Sequence, residues 1–198
     1  MLEKNCPIEI FADKLRRRIA ESTRDAPTNS TALSRIETIA AEGIAREEGM
    51  WVPFSEVSSL GTPFPSGVEN DVCLNSDGNV IYKVNNLMTS KTITALLDRL
   101  TIHNSIFPQT FYRLHGFTGF GSGSIYPILV QDFVPNEREA TPIEIDTYMA
   151  ALGFTKTAEA TYDNGQIEVS DLRPRNVLRD TDGDLFVVDA EFRRIYPI

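Results

Sequence analysis

The stretch Asp171-Leu172-Arg173-Pro174-Arg175-Asn176-Val177-Leu178 decides the fold that this sequence indicates. An apolar run, Leu185 to Val188, follows it and is succeeded directly by Asp189. The dipeptide Asp182-Gly183 lies between the two apolar segments and is typical of a hairpin turn. The sequence therefore predicts two carboxylates and one amide arranged around a β-hairpin.

Phosphoryl transfer requires side chains of these types. A magnesium ion that bridges phosphates needs hard oxygen ligands, which the Asn176 amide and the Asp189 carboxylate supply. The Asp171 carboxylate is suited to orienting an attacking hydroxyl group. Aspartate and asparagine also cap turns, so the prediction depends on the joint spacing of all three residues. We expect Asp171 to be the catalytic residue, and Asn176 and Asp189 to be the metal ligands.

The same spacing resembles the catalytic and metal loops of protein kinases. Upstream, Gly78 to Val84 resembles the third strand of kinases, and this resemblance implies that Lys83 contacts the α and β phosphates of ATP. Ile128 to Pro135 resembles the fifth strand running into the hinge. The adenine contacts implied there are backbone groups of Gln131, Asp132 and Phe133.

Two further features resemble, more closely, the kinase domains of polyvalent proteins carried by phages and conjugative elements. They are the segment Gly67-Val68-Glu69-Asn70-Asp71-Val72 and the phrase Asp-Leu-x-Pro-Arg-Asn-Val-Leu that begins at Asp171. The resemblance covers roughly Trp51 to Phe192. It implies an α+β, minimal bilobal protein-kinase-like fold, with N-terminal helices, an antiparallel N-lobe sheet and a truncated C-lobe. The expected division is a helical extension at 1–50, an N-lobe at 51–135 and a C-lobe carrying the catalytic and metal loops at 136–198.

Two departures from the usual kinase pattern surround the aspartates. Val169-Ser170 precedes Asp171 where kinases have His-Arg, and Ala190-Glu191 follows Asp189 where they have Phe-Gly. Neither departure removes a predicted ligand. Both favour a module that has lost catalysis as an alternative to an enzyme.

Two more departures concern the groups expected around the phosphates. The glutamate that usually pairs with the strand lysine is absent, and Asp98 is the only carboxylate of the following helix that could replace it as the partner of Lys83. A three-glycine loop is also missing. The segment from Gly61 to Gly67 could cover phosphates with backbone N–H groups, although its two prolines remove donors and stiffen it.

Three functional hypotheses follow. The first is an ATP- and magnesium-dependent phosphotransferase, for which the resemblance implies a protein serine or threonine as acceptor. The second is a catalytically inactive kinase-like module that binds nucleotide or a partner protein. The third is a small-molecule phosphotransferase, since aminoglycoside and choline kinases share the aspartate, asparagine and later aspartate on a related fold. The sequence leaves the acceptor open.

Periodicity and turn signals predict an alternation of helices and strands along the rest of the chain. A capping-box spacing, Ser34 with Glu37, is expected near the start of the second helix, and Thr141 with Glu144 at the start of a later one. Predicted helices cover Pro7 to Arg24, Ser34 to Gly49, Ser90 to Ile106 and about ten residues after Thr141, with a connector at Asp25 to Thr31. A three-strand meander is predicted over Trp51 to Leu60, Val68 to Leu74 and Val80 to Val84, the last two joined by a hairpin turn at Ser76 to Asn79.

The charge and composition of the chain restrict the kinds of partner and the location that are expected. The 198-residue chain has a formal net charge of −9 at pH 7, which repels phosphate backbones, so nucleic-acid binding is not expected. The only dense basic cluster is Lys14 with Arg16 to Arg18. No apolar run approaches the ~20 residues that span a bilayer, so no membrane association is expected. Met1 to Phe11 lacks the pattern of a secretory signal, which favours a cytoplasmic location.

The sequence disfavours two other kinds of metal site, for zinc and for calcium. Cys6 and Cys73 lie far apart with no zinc spacing, so free thiols are expected. Four acidic residues match positions one, three, five and twelve of a calcium loop, but Leu185 stands where that loop requires glycine. Calcium binding is therefore disfavoured; the four residues are Asp180, Asp182, Asp184 and Glu191.

Overall fold

The structure is a computed structural model that describes residues 7–24, 29–65, 67–120, 123–135 and 137–195. Cys6 and the first part of the predicted connector after the first helix, residues 25–28, lie outside the described residues. The chain divides into two compact units. The first comprises residues 1–101 and 112–133, and the second comprises residues 102–111 and 134–198. The predicted N-terminal extension and the predicted N-lobe sheet thus belong to the same unit.

The first unit combines helices with a five-stranded antiparallel sheet of order β1-β2-β3-β5-β4. The turn between β2 and β3 lies at Ser76 to Asn79, as predicted. In chain order the elements are α1 (Pro7–Thr23), α2 (Ser30–Glu47), β1 (Thr62–Phe64), β2 (Asn70–Leu74), β3 (Val80–Asn85), α3 (Ile93–Ile106, ending in the second unit), β4 (Arg113–Thr118) and β5 (Tyr126–Asp132).

The second unit contains two small antiparallel sheets, of order β11-β10-β6 and β12-β9-β8-β7, and one helix. Thr141 and Glu144 form the predicted capping box at the start of that helix, which is ten residues long as expected. The elements are β6 (Arg138–Glu139), α4 (Pro142–Ala151), β7 (Thr155–Ala158), β8 (Thr161–Asp163), β9 (Ile167–Ser170), β10 (Val177–Arg179), β11 (Leu185–Val187) and β12 (Glu191–Arg194). The α+β class with antiparallel sheets is confirmed.

Each unit has its own apolar core. In the first unit the apolar faces of α1, α2 and α3 pack in one cluster with residues of β4 and β5, and the ring centroids of Phe11 and Phe117 lie 4.7 Å apart. In the second unit α4 packs with the strands around Phe107, Met149 and Val169. Full burial of a large apolar side chain contributes about 1.5–3 kcal/mol, so these clusters hold the sheets that carry the predicted site.

The segment from Trp51 to Leu60 is not a strand, contrary to the prediction. Phe54–Leu60 forms a 3₁₀-helix, and the first strand of the meander is Thr62–Phe64. Local hydrogen bonds explain the difference, because the Glu56 N–H donates to the Pro53 carbonyl at 2.8 Å and the Ser59 hydroxyl donates to the Glu56 carbonyl at 2.6 Å. Serine side chains of this kind compete with sheet pairing.

The predicted capping box at Ser34 and Glu37 is also wrong. The cap of α2 is Asn29, whose side chain accepts a hydrogen bond from the Ala32 N–H at 2.9 Å. Glu37 is buried and instead caps α3: its carboxylate accepts the N–H groups of Ile93 at 3.2 Å and Thr94 at 2.9 Å, and the Thr94 hydroxyl at 2.6 Å. A carboxylate at a helix N-terminus satisfies free N–H donors and complements the helix dipole. One helix thereby fixes the start of another.

Candidate functional site

The loop after β9 begins with an unusual backbone conformation at Asp171. This residue has φ of 57°, in the left-handed region that aspartate enters more readily than most residues. The next residue, Leu172, is buried, and its N–H donates to the Ala160 carbonyl at 3.1 Å. A short 3₁₀ turn, Pro174–Asn176, then leads into β10. The buried leucine anchors the loop while the aspartate beside it stays half-exposed.

Asn176 fixes the conformation of Asp171 from within this loop. Its Nδ2 donates to the Asp171 backbone carbonyl at 2.8 Å and to the Asp171 Oδ2 at 2.9 Å. The other carboxylate oxygen, Oδ1, lies 3.0 Å from the Arg173 Nε and 3.6 Å from a terminal nitrogen of Arg175. Both arginine side chains are largely exposed, so their ion pairs are weak and easily exchanged for another anion.

Two backbone connections bring Asp189 into the same part of the second unit. The Val188 N–H donates to the Asn176 carbonyl at 2.9 Å. On the other side of Asp189, strand β12 pairs with β9 so that Glu191 lies opposite Ser170, directly before Asp171. Thus Ser170 and Glu191, which stand where kinases have arginine and glycine, are held in one antiparallel ladder.

The side chains left available in this region fit a magnesium ion. Asp189 is half-buried, yet its carboxylate makes no hydrogen bond or ion pair with any residue that the structure describes. The Asn176 Oδ1 likewise accepts no hydrogen bond from the described part of the chain, since only its amide nitrogen is engaged. One carboxylate and one amide oxygen, completed by phosphate oxygens and water, are a donor set that magnesium accepts.

No group of three or more His, Cys, Asp or Glu side chains suited to a metal occurs within the described residues. The calcium-loop spacing has another use. The Asp180 Oδ1 accepts the N–H groups of Asp182, Gly183 and Asp184 at 3.0, 2.9 and 2.9 Å. That oxygen closes the turn between β10 and β11.

In the first unit, Lys83 lies in the middle of β3 and is 8% exposed. Its ammonium donates to the Tyr112 hydroxyl at 2.9 Å and lies 4.9 Å from the centroid of the tyrosine ring. A buried ammonium requires such partners because losing water is costly for a charge. The tyrosine was not singled out in the sequence, since nothing in its local spacing relates it to Lys83.

A family model described as Kinase-PolyVal, a serine/threonine/tyrosine kinase found in polyvalent proteins, matches residues 36–195, well over half of the chain. The chain belongs to this family. The predicted resemblance to kinase domains of polyvalent proteins is thereby confirmed, and the domain is kinase-like. No curated protein gives a significant match.

One predicted contact of this Kinase-PolyVal domain is not formed. The Asp98 carboxylate pairs with Arg16 of α1 and is not a partner of Lys83. The Asp98 side chain is 56% exposed, because it lies on the face of α3 that looks toward α1 and solvent. The sequence suggested Asp98 only because it is the sole carboxylate of that helix, and a helical position does not by itself fix the direction of a short side chain.

The two glycines predicted to contact phosphate occupy different settings. Gly61 precedes β1, and a Cβ at this position would lie 2.1 Å from the Leu74 carbonyl oxygen, so close strand packing requires glycine there. Gly67 lies in the connection between β1 and β2, where a Cβ would meet no atom within 4 Å. Ser66, between them, lies outside the described residues. Of the two, Gly67 is the glycine in the connecting loop.

Of the three predicted hinge residues, Gln131 and Asp132 end strand β5 and Phe133 follows it. Gln131 is buried, whereas Asp132 is exposed and pairs with Arg113 at 2.6 Å. The Phe133 N–H donates to the Asn79 carbonyl at 2.9 Å, so this donor is already engaged. The Phe133 ring stands edge-on to Phe64, with centroids 5.8 Å apart.

Three of the four basic residues in the α1 cluster pair with acidic residues of the same unit. Lys14 pairs with Glu48, Arg16 with Asp98, and Arg18 makes a two-bond contact with Glu47 at 2.7 and 2.9 Å. The Glu47 hydrogen bond raises the pKa of Arg18. No helix within the described ranges is long and apolar enough to cross a bilayer.

The sequence did not reveal a buried ion pair between Glu69 and Arg99. Its atoms lie 3.0 Å apart, and the side chains are 12% and 9% exposed. Glu69 belongs to the Gly67-to-Val72 segment that carried part of the family resemblance, which was the only available signal. Its partner is thirty positions away on α3, and no spacing rule connects them.

Proposed function

We propose that this domain is an ATP- and magnesium-dependent phosphotransferase that transfers a phosphoryl group to a hydroxyl, with a protein serine or threonine as the acceptor. The observation that carries the proposal is the double hydrogen bond from Asn176 to Asp171, next to a half-buried Asp189 carboxylate that no described residue engages. Membership of the kinase family supports the reaction class.

Asp171 is the proposed catalytic residue. Its carboxylate would accept a hydrogen bond from the attacking hydroxyl and hold that oxygen in line with the γ-phosphorus of ATP. The new oxygen–phosphorus bond would form as the bond from the γ-phosphorus to the β–γ bridging oxygen breaks and ADP leaves, and the hydroxyl proton would pass to the carboxylate. The Asn176 amide fixes the carboxylate for this task without a change of rotamer. Such prior positioning lowers the entropy that must be lost on reaching the transition state.

Asn176 and Asp189 would hold magnesium through Oδ1 and the carboxylate. When bound, the ion neutralises charge on the phosphates during transfer. The chain contributes what keeps these two donors ready, because the Val188-to-Asn176 hydrogen bond and the β9–β12 ladder fix the backbone on both sides of Asp189.

Lys83 would contact the α and β phosphates, as the family resemblance implies. Its ammonium donates to the Tyr112 hydroxyl, which restrains the direction of the side chain. Arg173 provides a second cation beside Asp171. Its exposure leaves it able to exchange the aspartate for a phosphate oxygen.

A catalytically inactive nucleotide-binding module is the second candidate. It is favoured by Ala190, which follows Asp189 and is 3% exposed. The residues after it enter strand β12 instead of the Phe-Gly turn of ordinary kinases. This alternative predicts binding of ATP without phosphoryl transfer.

A thermal-shift titration with ATP, with and without magnesium, tests the proposal. Wild type is expected to show a magnesium-dependent rise in Tm, because a ligand that binds the folded state stabilises it. Asp189→Ala should abolish that rise. The matched control is Asp184→Ala, an exposed aspartate in the β10–β11 turn, which should retain it. No rise in wild type at saturating ATP would contradict the proposal.

Phosphoryl transfer itself is followed with γ-labelled ATP, using the domain and a general protein acceptor. Label on serine or threonine supports the protein-kinase assignment. Label on an added aminoglycoside or choline in place of protein would redirect the acceptor assignment to a small molecule. A magnesium-dependent thermal shift without any transfer would support the inactive module.

A further inference from the structure

The carboxylate of Glu69, a side chain that is 12% exposed, accepts four hydrogen bonds from three residues of the first unit. Its Oε1 accepts from a terminal nitrogen of Arg99 at 3.0 Å and from the Asn85 amide at 3.2 Å. Its Oε2 accepts from the Thr89 hydroxyl at 3.0 Å and from the other terminal nitrogen of Arg99 at 3.5 Å. The guanidinium and the carboxylate therefore face each other along two edges, the geometry that gives arginine pairs their directional strength.

The Glu69 carboxylate and its donors come from separate pieces of the fold. Glu69 ends the β1–β2 connection, whose described residues are Pro65 and 67–69. Asn85 ends β3, two positions after Lys83, and is fully buried. Arg99 lies in α3. The Glu69 carboxylate thus links the β1–β2 connection to strand β3, which carries Lys83, and to helix α3.

Backbone contacts strengthen the same junction. The Asn86 N–H donates to the Glu69 carbonyl at 2.9 Å, and the Asn86 side chain donates to the Val68 carbonyl at 2.7 Å. The segment that follows β3 has two non-glycine residues with left-handed φ, Leu87 at 59° and Lys91 at 65°. Backbone strain of this kind persists where the surroundings over-determine the conformation.

A gain in folding stability does not by itself explain the presence of the Glu69–Arg99 ion pair. A buried ion pair loses most of its attraction to desolvation, and an apolar pair of the same volume is often equally stable. The ion pair instead fixes the orientation of Glu69 and Arg99 relative to each other. Ordinary kinases link the helix to the strand lysine through a helix carboxylate; here the helix supplies the cation and the β1–β2 connection supplies the carboxylate.

We propose that Glu69 and Arg99 are positioning residues that fix the β1–β2 connection relative to β3 and α3 and thereby set the affinity for ATP. The inference rests on the proposed function, because it takes nucleotide to be the ligand of this unit. Neither side chain is assigned contact with ATP. Their effect is transmitted through the connection that contains Gly67 and through the strand that carries Lys83.

The test uses Glu69→Gln with Arg99→Met as a double variant, which removes both charges but keeps an acceptor oxygen for Asn85 and Thr89. Its Tm without ligand is expected to lie within a few degrees of wild type, whereas the KM for ATP rises about tenfold with kcat changed much less. The control is Glu47→Gln with Arg18→Met, which removes an exposed two-bond ion pair of the same unit. The control is expected to leave the KM for ATP unchanged.

Glu69→Asp is the second variant, in case the double variant fails to fold. It keeps the negative charge but shortens the side chain by one methylene, which moves the carboxylate away from Arg99. The Arg99 side chain cannot lengthen to restore the contact, so the KM for ATP is again expected to rise. Wild-type KM in a folded double variant, or in Glu69→Asp, would overturn the inference while leaving the proposed function intact. Absence of a magnesium-dependent ATP shift in wild type itself would instead overturn the proposed function.

Discussion

The side-chain amide of Asn176 donates to both the backbone carbonyl and the carboxylate of Asp171, at 2.8 and 2.9 Å. The two contacts leave the Asn176 Oδ1 without a donor among the described residues. One face of a single amide thus restrains the proposed catalytic aspartate, and the other presents an oxygen ligand. Orientation of the acceptor and binding of the metal are therefore coupled through one side chain.

Asp171→Asn should reduce the rate of phosphoryl transfer by about 100-fold or more and leave the ATP-dependent thermal shift in place. An amide cannot accept the proton of the attacking hydroxyl, and this step contributes a factor of 10² to 10⁴ in typical enzymes. Asp163→Asn, at the end of β8, is the matched control and should retain transfer. Equal rates in Asp171→Asn and wild type would exclude Asp171 as the catalytic residue.

Lys83→Met should weaken ATP binding at least tenfold, measured by titration calorimetry, because it removes the cation proposed to contact the phosphates. Asp98→Asn is the control. Its carboxylate pairs with Arg16, so ATP affinity should stay within twofold of wild type. A loss of ATP affinity in Asp98→Asn equal to that of Lys83→Met would restore Asp98 as the lysine partner.

Glu37→Ala should lower the free energy of unfolding by about 2 kcal/mol in urea denaturation, because it leaves buried N–H groups at the start of α3 without an acceptor. The comparison is Glu42→Ala on the same helix. Its carboxylate makes an i,i+4 ion pair with Arg46, worth a few tenths of a kcal/mol. If the two variants were equally stable, the cap on α3 would have no energetic importance.

Glu144 makes the stability of the second unit depend on acid pH. Hydrogen bonds from Arg138, which have the largest effect, and from the Thr141 backbone N–H lower the pKa of Glu144 to about 2. A carboxylate whose pKa is lower in the folded state stabilises the fold above its unfolded pKa, and that contribution is lost as the pH falls through the folded value. The Tm of Glu144→Gln should therefore lie below that of wild type at pH 7, and the gap should narrow between about pH 4.5 and pH 2.

The measurement for Glu144 is a set of thermal melts of both proteins across that range. Glu159→Gln controls for the loss of one exposed negative charge, because the Glu159 side chain makes no hydrogen bond with the described residues. A Tm gap that stays constant from pH 7 to pH 2 would contradict the assigned pKa.

The sequence correctly predicted features that depend on residues only a few positions apart in the chain. The hairpin between β10 and β11, the turn before β3 and the capping box at Thr141 all rest on contacts within a few positions, where backbone geometry restricts the outcome. The kinase family was recognised because the spacing of Asp171, Asn176 and Asp189 is itself local to one loop and hairpin.

Residues paired across long separations could not be predicted. Glu37 reads as an N-terminal capping residue of its own helix, and only the packing of α2 on α3 reveals which N–H groups it meets. Glu69 and Arg99 likewise become partners through tertiary structure alone. Pro63 suggested a loop, yet it lies in β1, the edge strand of the sheet, where a missing N–H leaves no ladder bond broken.

Helix α1 lies wholly before residue 36, where the family match begins. Its residues Ile8, Phe11 and Leu15 are at most 2% exposed, and they share one core with Leu96 and Leu97 of α3. A recombinant fragment trimmed to 36–195 would uncover that apolar surface and is expected to aggregate. The smallest autonomously folding piece of this chain is thus larger than the region by which its family is recognised, and truncation studies should retain α1.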